Sequence, residues 1–273
     1  MLKRTYLIVF IIVFCTFITG CQLDKAHSDD YPKKPTENEV VNIHGGLENI
    51  ERLDLFVKNT QNGKKDKVRL TQYTIEGDPI FQDLEYDGDK VAIKIDSTKD
   101  KFGGGEVRSY VCKGIQKQES NTETKYLLEE CPDISDLVTI SHDVGNQDYF
   151  AFELKYGAGL KNKINTKSQE VIKDLKNGKT VAISDFQFSK EELNQIYKQM
   201  ILSNYLGDKK LSTKCNKKSY ESYDLTIWIN DGGRHFKWSE CDKSTDGRKM
   251  TNLVNNILEI LKNNTTYQSL SDS

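Results

Sequence analysis

The spacing of apolar side chains changes several times along this chain of 273 residues, and each change marks an element. Residues 5–18 (TYLIVFIIVFCTFI) are an apolar run that ends at Thr19-Gly20-Cys21 and turns polar at Gln22. A membrane-spanning helix needs about 20 apolar residues, so this run is too short for a comfortable span. With Lys3 and Arg4 ahead of it, it reads as the apolar stretch of a secretory signal covering 1–20. Residues 21–37 follow without periodicity and carry Pro32 and Pro35, the composition of a flexible tether.

Helical and strand spacing then alternate. Leu47, Ile50, Leu53 and Phe56 or Val57 share one face of a predicted helix over 46–59. Residues 67–75 (KVRLTQYTI) alternate as a strand. Residues 79–96 predict a hairpin turning at Asp87-Gly88. A second hairpin is expected from 107–115 and 124–131. Residues 137–144 and 148–156 read as strands. Residues 164–178 read as a helix closed by Gly178. SKEE at 189–192 fits a capping box before an apolar stripe of Leu193, Ile196, Tyr197, Met200 and Ile201. A hairpin at 223–238 and a helix at 248–264 complete the pattern. The predicted class is α+β: two small units, 38–133 and 134–273, each an antiparallel sheet with one to three packed helices.

The six cysteines change this picture most. Thr19-Gly20-Cys21 resembles a bacterial lipobox, in which small residues enter a peptidase cleft and the Cys thiol receives diacylglycerol. By that resemblance Cys21 is the lipidated first residue of the mature protein, held at the outer face of the bacterial cell membrane. Cys15 leaves with the signal. Cys112, Cys131, Cys215 and Cys241 remain, an even number in an oxidising compartment, which implies disulfides. Four cysteines allow three connectivities; pairing sequence neighbours is the simplest. If Cys112 faces Cys131, the turn falls between Asn121 and Thr122, inside a polar stretch. No C-x-x-C spacing points to zinc.

Beyond Cys21 stand 37 basic and 41 acidic residues, since only Lys3 and Arg4 precede it and no acid does. This mildly acidic body argues against a nucleic-acid partner. Glu76, Asp78, Asp96 and Asp100 are candidates to converge at one sheet end. Four carboxylates suit Ca²⁺ or a general acid–base pair, whereas the bland reading gives them to turns. Gly103-Gly104-Gly105 lacks the ending of a phosphate loop. His27, His44, His142 and His235 have no G-x-S-x-G or H-E-x-x-H context, so each is expected at the surface or in a cap. Trp228 and Trp238 flank one hairpin, either packing on the last helix or facing a sugar or peptide.

The stretch from Val40 to Cys131 resembles a family of uncharacterised Gram-positive lipoproteins with a domain of unknown function. HGGLENIERLDLF, KVRLTQYTIEGDPIF, LEYDG and DSTKDKFG carry the resemblance, and YTIEGDPI is its most specific part. It implies an exported lipoprotein and transfers no catalytic residue. The function expected is therefore a non-enzymatic binding module, anchored to the membrane through Cys21, for a protein, peptide or wall ligand, with no cofactor. A divalent-metal or solute-binding protein and a carboxylate-dependent hydrolase are the alternatives.

Overall fold

A strand pair opens the described body. In the computed structural model the described residues are 35–269 without 44, 45 and 176. The signal, Cys21, the tether up to residue 34, His27 and His44 lie outside them. β1 (Glu39–Ile43) and β2 (Gly46–Glu48) pair antiparallel and lead into α1 (Ile50–Gln61). The helix starts later than its apolar spacing predicts because Gly46–Glu48 is taken up by β1. Asn49 makes the switch in a left-handed conformation (φ 60°), which Asn tolerates, while its Nδ2 donates to the Glu39 carbonyl at 2.8 Å.

α1 buries Leu53 and Phe56 and docks through charge as well as apolar area. The Arg52 guanidinium donates to Asp66 at 2.6 and 3.0 Å and to Asn38 Oδ1 at 3.0 Å. Arg52 and Asp66 are only 9% and 15% exposed, so each charge relies on the other. Burial raises the Asp66 pKa, but the hydrogen bonds from Arg52, Asn59 and the Lys67 N–H outweigh it and hold the carboxyl below its usual range.

β3 (Asp66–Tyr73) runs parallel to β1, a departure from the purely antiparallel expectation. β4 (Pro79–Tyr86), β5 (Val91–Asp96) and β6 (Val107–Cys112) follow antiparallel, giving the order β2-β1-β3-β4-β5-β6. The Asp87-Gly88 turn forms as read, with Asp87 Oδ1 accepting from the N–H groups of Asp89 and Lys90.

The predicted strand 107–115 is two strands. After the single residue Lys113, β7 (Gly114–Glu119) leaves the first sheet and pairs with β8 (Glu123–Glu129) around a turn at residues 120–123. β9 (Asp136–Ser141) completes this second sheet, order β7-β8-β9. A division at 133/134 therefore falls between two paired strands, and the chain from Pro35 onward clusters as one unit. Disulfides join Cys112 to Cys131 and Cys215 to Cys241, the neighbour pairing.

β10 (Phe150–Gly157), β11 (Asn162–Asn165), β12 (Glu170–Asp174) and β13 (Thr180–Ile183) follow. The helix expected over 164–178 is thus a pair of hairpins. Ile164 and Val171 face each other across β11 and β12, both fully buried. Asn165 Oδ1 accepts from the N–H groups of Lys167 and Ser168, so this side chain builds a turn in place of a helical one. Gly178, at φ 86°, lies in the next turn, where Leu175 N–H donates to the Lys179 carbonyl.

α2 (Lys190–Leu202) opens on the capping box read from SKEE. Ser189 Oγ accepts from Glu192 N–H at 3.1 Å, and Glu192 accepts from Ser189 N–H at 2.7 Å. β14 (Ser222–Ile229) and β15 (Gly232–Ser239) pair into the third sheet, order β13-β12-β11-β10-β14-β15. α3 (Thr245–Asn263) and the short α4 (Thr265–Gln268) end the body. Trp238 is buried against α3, donating from Nε1 to Thr251 Oγ1 at 3.0 Å. Trp228 is half-buried, with the Lys167 ammonium 5.4 Å from its ring centre. One apolar core runs through all three sheets.

Candidate functional site

The sequence nominated four carboxylates, and the structure divides them among turns. Asp78 is buried, accepting from Lys101 N–H at 2.9 Å and facing Lys101 Nζ at 3.4 Å. Asp96 accepts from the backbone and hydroxyl of Thr98, and Asp100 from the N–H groups of Phe102 and Gly103. Glu76 is exposed in the turn between β3 and β4. Among the described residues no group of three or more His, Cys, Asp or Glu side chains is placed to hold a metal ion.

Titratable groups converge instead where the second sheet meets α2 and α3. A cleft of about 630 Å³ lies there. Its first wall is the end of β7 and the following turn, with Glu119, Ser120 and Asn121. The second is the polar face of α2, with Gln195, Lys198 and Gln199. α3 adds Asn256, Glu259 and Asn263, and His142 closes the cleft just past β9.

His142 is the correction that matters most. Expected at the surface or in a cap, it is 2% exposed. Its Nε2 stands 3.4 Å from Thr124 Oγ1, and its Nδ1 has no hydrogen-bond partner. Burial pushes its pKa down and the Lys198 ammonium adds to this, against a smaller opposing pull from the backbone of Glu123 and Asn121 and the charge of Glu119. The ring is therefore held neutral. The segment after it is pinned to α2: Asn194 Oδ1 accepts from Val144 N–H at 2.9 Å, and Lys190 meets Asp143 at 3.1 Å.

A chain of alternating charges runs beside the histidine. Tyr126 OH donates to Asp54 at 2.7 Å, Lys117 bridges Asp54 (2.8 Å) and Glu119 (2.7 Å), and Lys198 meets the other Glu119 oxygen at 2.9 Å. The hydrogen bonds from Lys117 and Lys198 bring the Glu119 pKa down to about 2. Burial raises the Tyr126 pKa, and the neighbouring Asp54 carboxylate raises it further, so this hydroxyl stays protonated. The α2–α3 seam is closed by Asn256 Nδ2 donating to Gln199 at 2.7 Å, and by Asn264 donating to both oxygens of Glu192.

A base beside a nucleophile sits at roughly 2.6–3.2 Å; the buried Thr124 hydroxyl stands 3.4 Å from His142 Nε2. The cleft is lined by His142, several amides, the Lys198 ammonium held by Glu119 and the exposed carboxylate of Glu259. The other described histidine, His235, is exposed and pairs with Asp224 at 2.8 Å on the third sheet. Glu119 and Lys198 escaped the sequence reading because their contact joins residues 79 apart. Nothing local in the sequence signalled the burial of His142.

Fold and site together define a disulfide-linked α+β protein with a polar cleft between a small sheet and two helices. Within it, residues 37–127, about a third of the chain, match a family described as a domain of unknown function (DUF4362). That match spans β1 to most of β8 and includes Glu119, whereas His142, α2 and α3 lie beyond it. No curated protein and no solved structure matches the chain.

Proposed function

We propose that this chain is a lipid-anchored extracytoplasmic protein whose body is a non-enzymatic binding module. The cleft beside His142 takes a small polar ligand. The single observation that carries the binding reading is a cleft of about 630 Å³ whose wall gathers His142, the Lys198 ammonium, the Glu259 carboxylate and several side-chain amides. A few fixed polar groups on a cleft wall orient a small ligand through placed hydrogen bonds. The amides and the Glu259 carboxylate then sort ligands by their donors and acceptors. The anchored location rests on the apolar run ending at Thr19-Gly20-Cys21, and the two disulfides fit an oxidising compartment.

Two measurements test these halves separately. Cells labelled with a palmitate analogue should transfer label to the wild type and not to C21A; a labelled C21A sinks the anchor. For binding, the full-length protein is titrated with amino acids, polyamines and neutral sugars while the His142 ring resonances are followed by NMR. A binder should shift those resonances, and His142→Phe should weaken it at least tenfold. Binding that leaves the ring unmoved, or no binder in the panel, sinks the cleft.

A further inference from the structure

A second cavity, of about 540 Å³, lies on the opposite side of α2. It is bordered by three consecutive residues of β9, 139–141, and by residues 72–74 where β3 ends. Successive side chains of a strand point to opposite faces, so a strand that borders a cavity with consecutive residues presents its edge.

The direction of that edge follows from the pairing. β9 is the outer strand of its sheet, and its register sets Ile140 against Thr124 and Ser141 against Glu123 of β8. His142 N–H donates to the Thr122 carbonyl at 2.8 Å, so the even-numbered backbone groups here point at β8. In an antiparallel strand the direction alternates from residue to residue, so the N–H and C=O groups of Thr139 and Ser141 point away, into the cavity. Leu137, on the same edge, has its carbonyl 3.5 Å from Gln72 Nε2, which confirms that this edge looks across at β3.

The lining sets the chemistry of the occupant. It contains no charged side chain. Leu47, Tyr197, Ile201 and Leu206 supply an apolar floor. An ion finds no counter-charge here, and a purely apolar molecule leaves the outward amides of β9 unpaired. A chain with alternating amide groups and apolar side chains satisfies both the edge and the floor.

We infer that β9 takes up an extended, uncharged peptide segment as a fourth strand, β-paired through Thr139 and Ser141, with alternate apolar side chains on that floor. This inference is independent of the His142 cleft. A stretch of about five residues covers the edge at roughly 3.4 Å per residue.

The test uses the full-length protein and an array of end-capped pentapeptides drawn from Ala, Ser, Thr, Val and Leu. The best members should bind and slow amide exchange at Thr139 and Ser141 by tenfold or more. The same peptides N-methylated at alternate amides should lose at least tenfold in affinity. Thr139→Pro removes an N–H that plays no part in the β8 ladder, so it should keep the fold and lose the peptide. If that variant misfolds, the N-methylated peptides decide alone. The inference is overturned if no peptide binds, if N-methylation has no effect, or if protection appears elsewhere. It is also overturned if a tetramer of N-acetylglucosamine occupies the cavity and the peptides do not.

Discussion

Tyr197 and Lys198 are neighbours in sequence and serve opposite environments. From one helix, α2 turns Tyr197 and Ile201 toward the uncharged cavity and Gln195, Lys198 and Gln199 toward the charged cleft. At 3.6 residues per turn the two sets point about 130° apart, so they occupy different faces of the helix. On the Tyr197 side order comes from packing: its ring centre lies 5.1 Å from Phe150 and 6.2 Å from Tyr205. On the Lys198 side order comes from ion pairs and amide bonds. Packing is expensive to remove and indifferent to pH, whereas the polar network is cheap to remove in parts and responds to protons. The same helix thus carries a rigid wall and a chemically adjustable one.

The largest expected effect separates the two faces directly. Tyr197→Ala should cost about 3–5 kcal/mol, as for truncation of other buried aromatic residues. Lys198→Ala should cost about 1 kcal/mol, because Glu119 keeps Lys117 and is 45% exposed. Urea denaturation measures both, and equal costs would erase the distinction between the faces.

A smaller effect is a pH dependence confined to the cleft. His142 binds its proton less readily folded than unfolded, so its contribution is complete above the unfolded pKa near 6.5. It is lost as pH falls through 6.5 toward the lower folded value, with a slope of at most about 1.4 kcal/mol per pH unit. Stability measured from pH 7.5 to 5 should decline in the wild type and stay flatter in His142→Gln, while Tyr197→Phe should keep the wild-type slope. The smallest effect comes at lower pH. Glu119 contributes fully above about 4.5 and loses that contribution as pH falls to about 2. Lys198→Met should reduce this acid limb by no more than about 1 kcal/mol, because the carboxylate is solvent-screened.

Local chemistry was legible in the sequence and long-range chemistry was not. The capping box at Ser189 and Glu192, the Asp87-Gly88 turn and the 120–123 turn are each decided within a few residues, and each formed where it was read. The stretch 164–178 has apolar positions that fit a helix as well as two short strands, and the side-chain turn at Asn165 chose the strands. The division of 107–115 at Lys113 depends on which sheet each half joins, a choice made by distant partners. The same holds for the site: His142 is buried because α2, from beyond residue 189, closes over the end of β9. Of the carboxylates that looked like a cluster, Asp96 and Asp100 are held by N–H groups two or three residues on, Asp78 by Lys101, and Glu76 faces solvent.

The bond between Cys215 and Cys241 also governs how the molecule survives a cut. Lys217 and Lys218 are exposed in the irregular stretch before β14, an open target for trypsin-like proteases. A nick there leaves the two pieces joined through the sulfur bridge and through the pairing of β14 with β10. Clipped protein should therefore migrate at full mass on a non-reducing gel and split into two fragments only when reductant is added. Damage at this point stays silent until the thiols are freed.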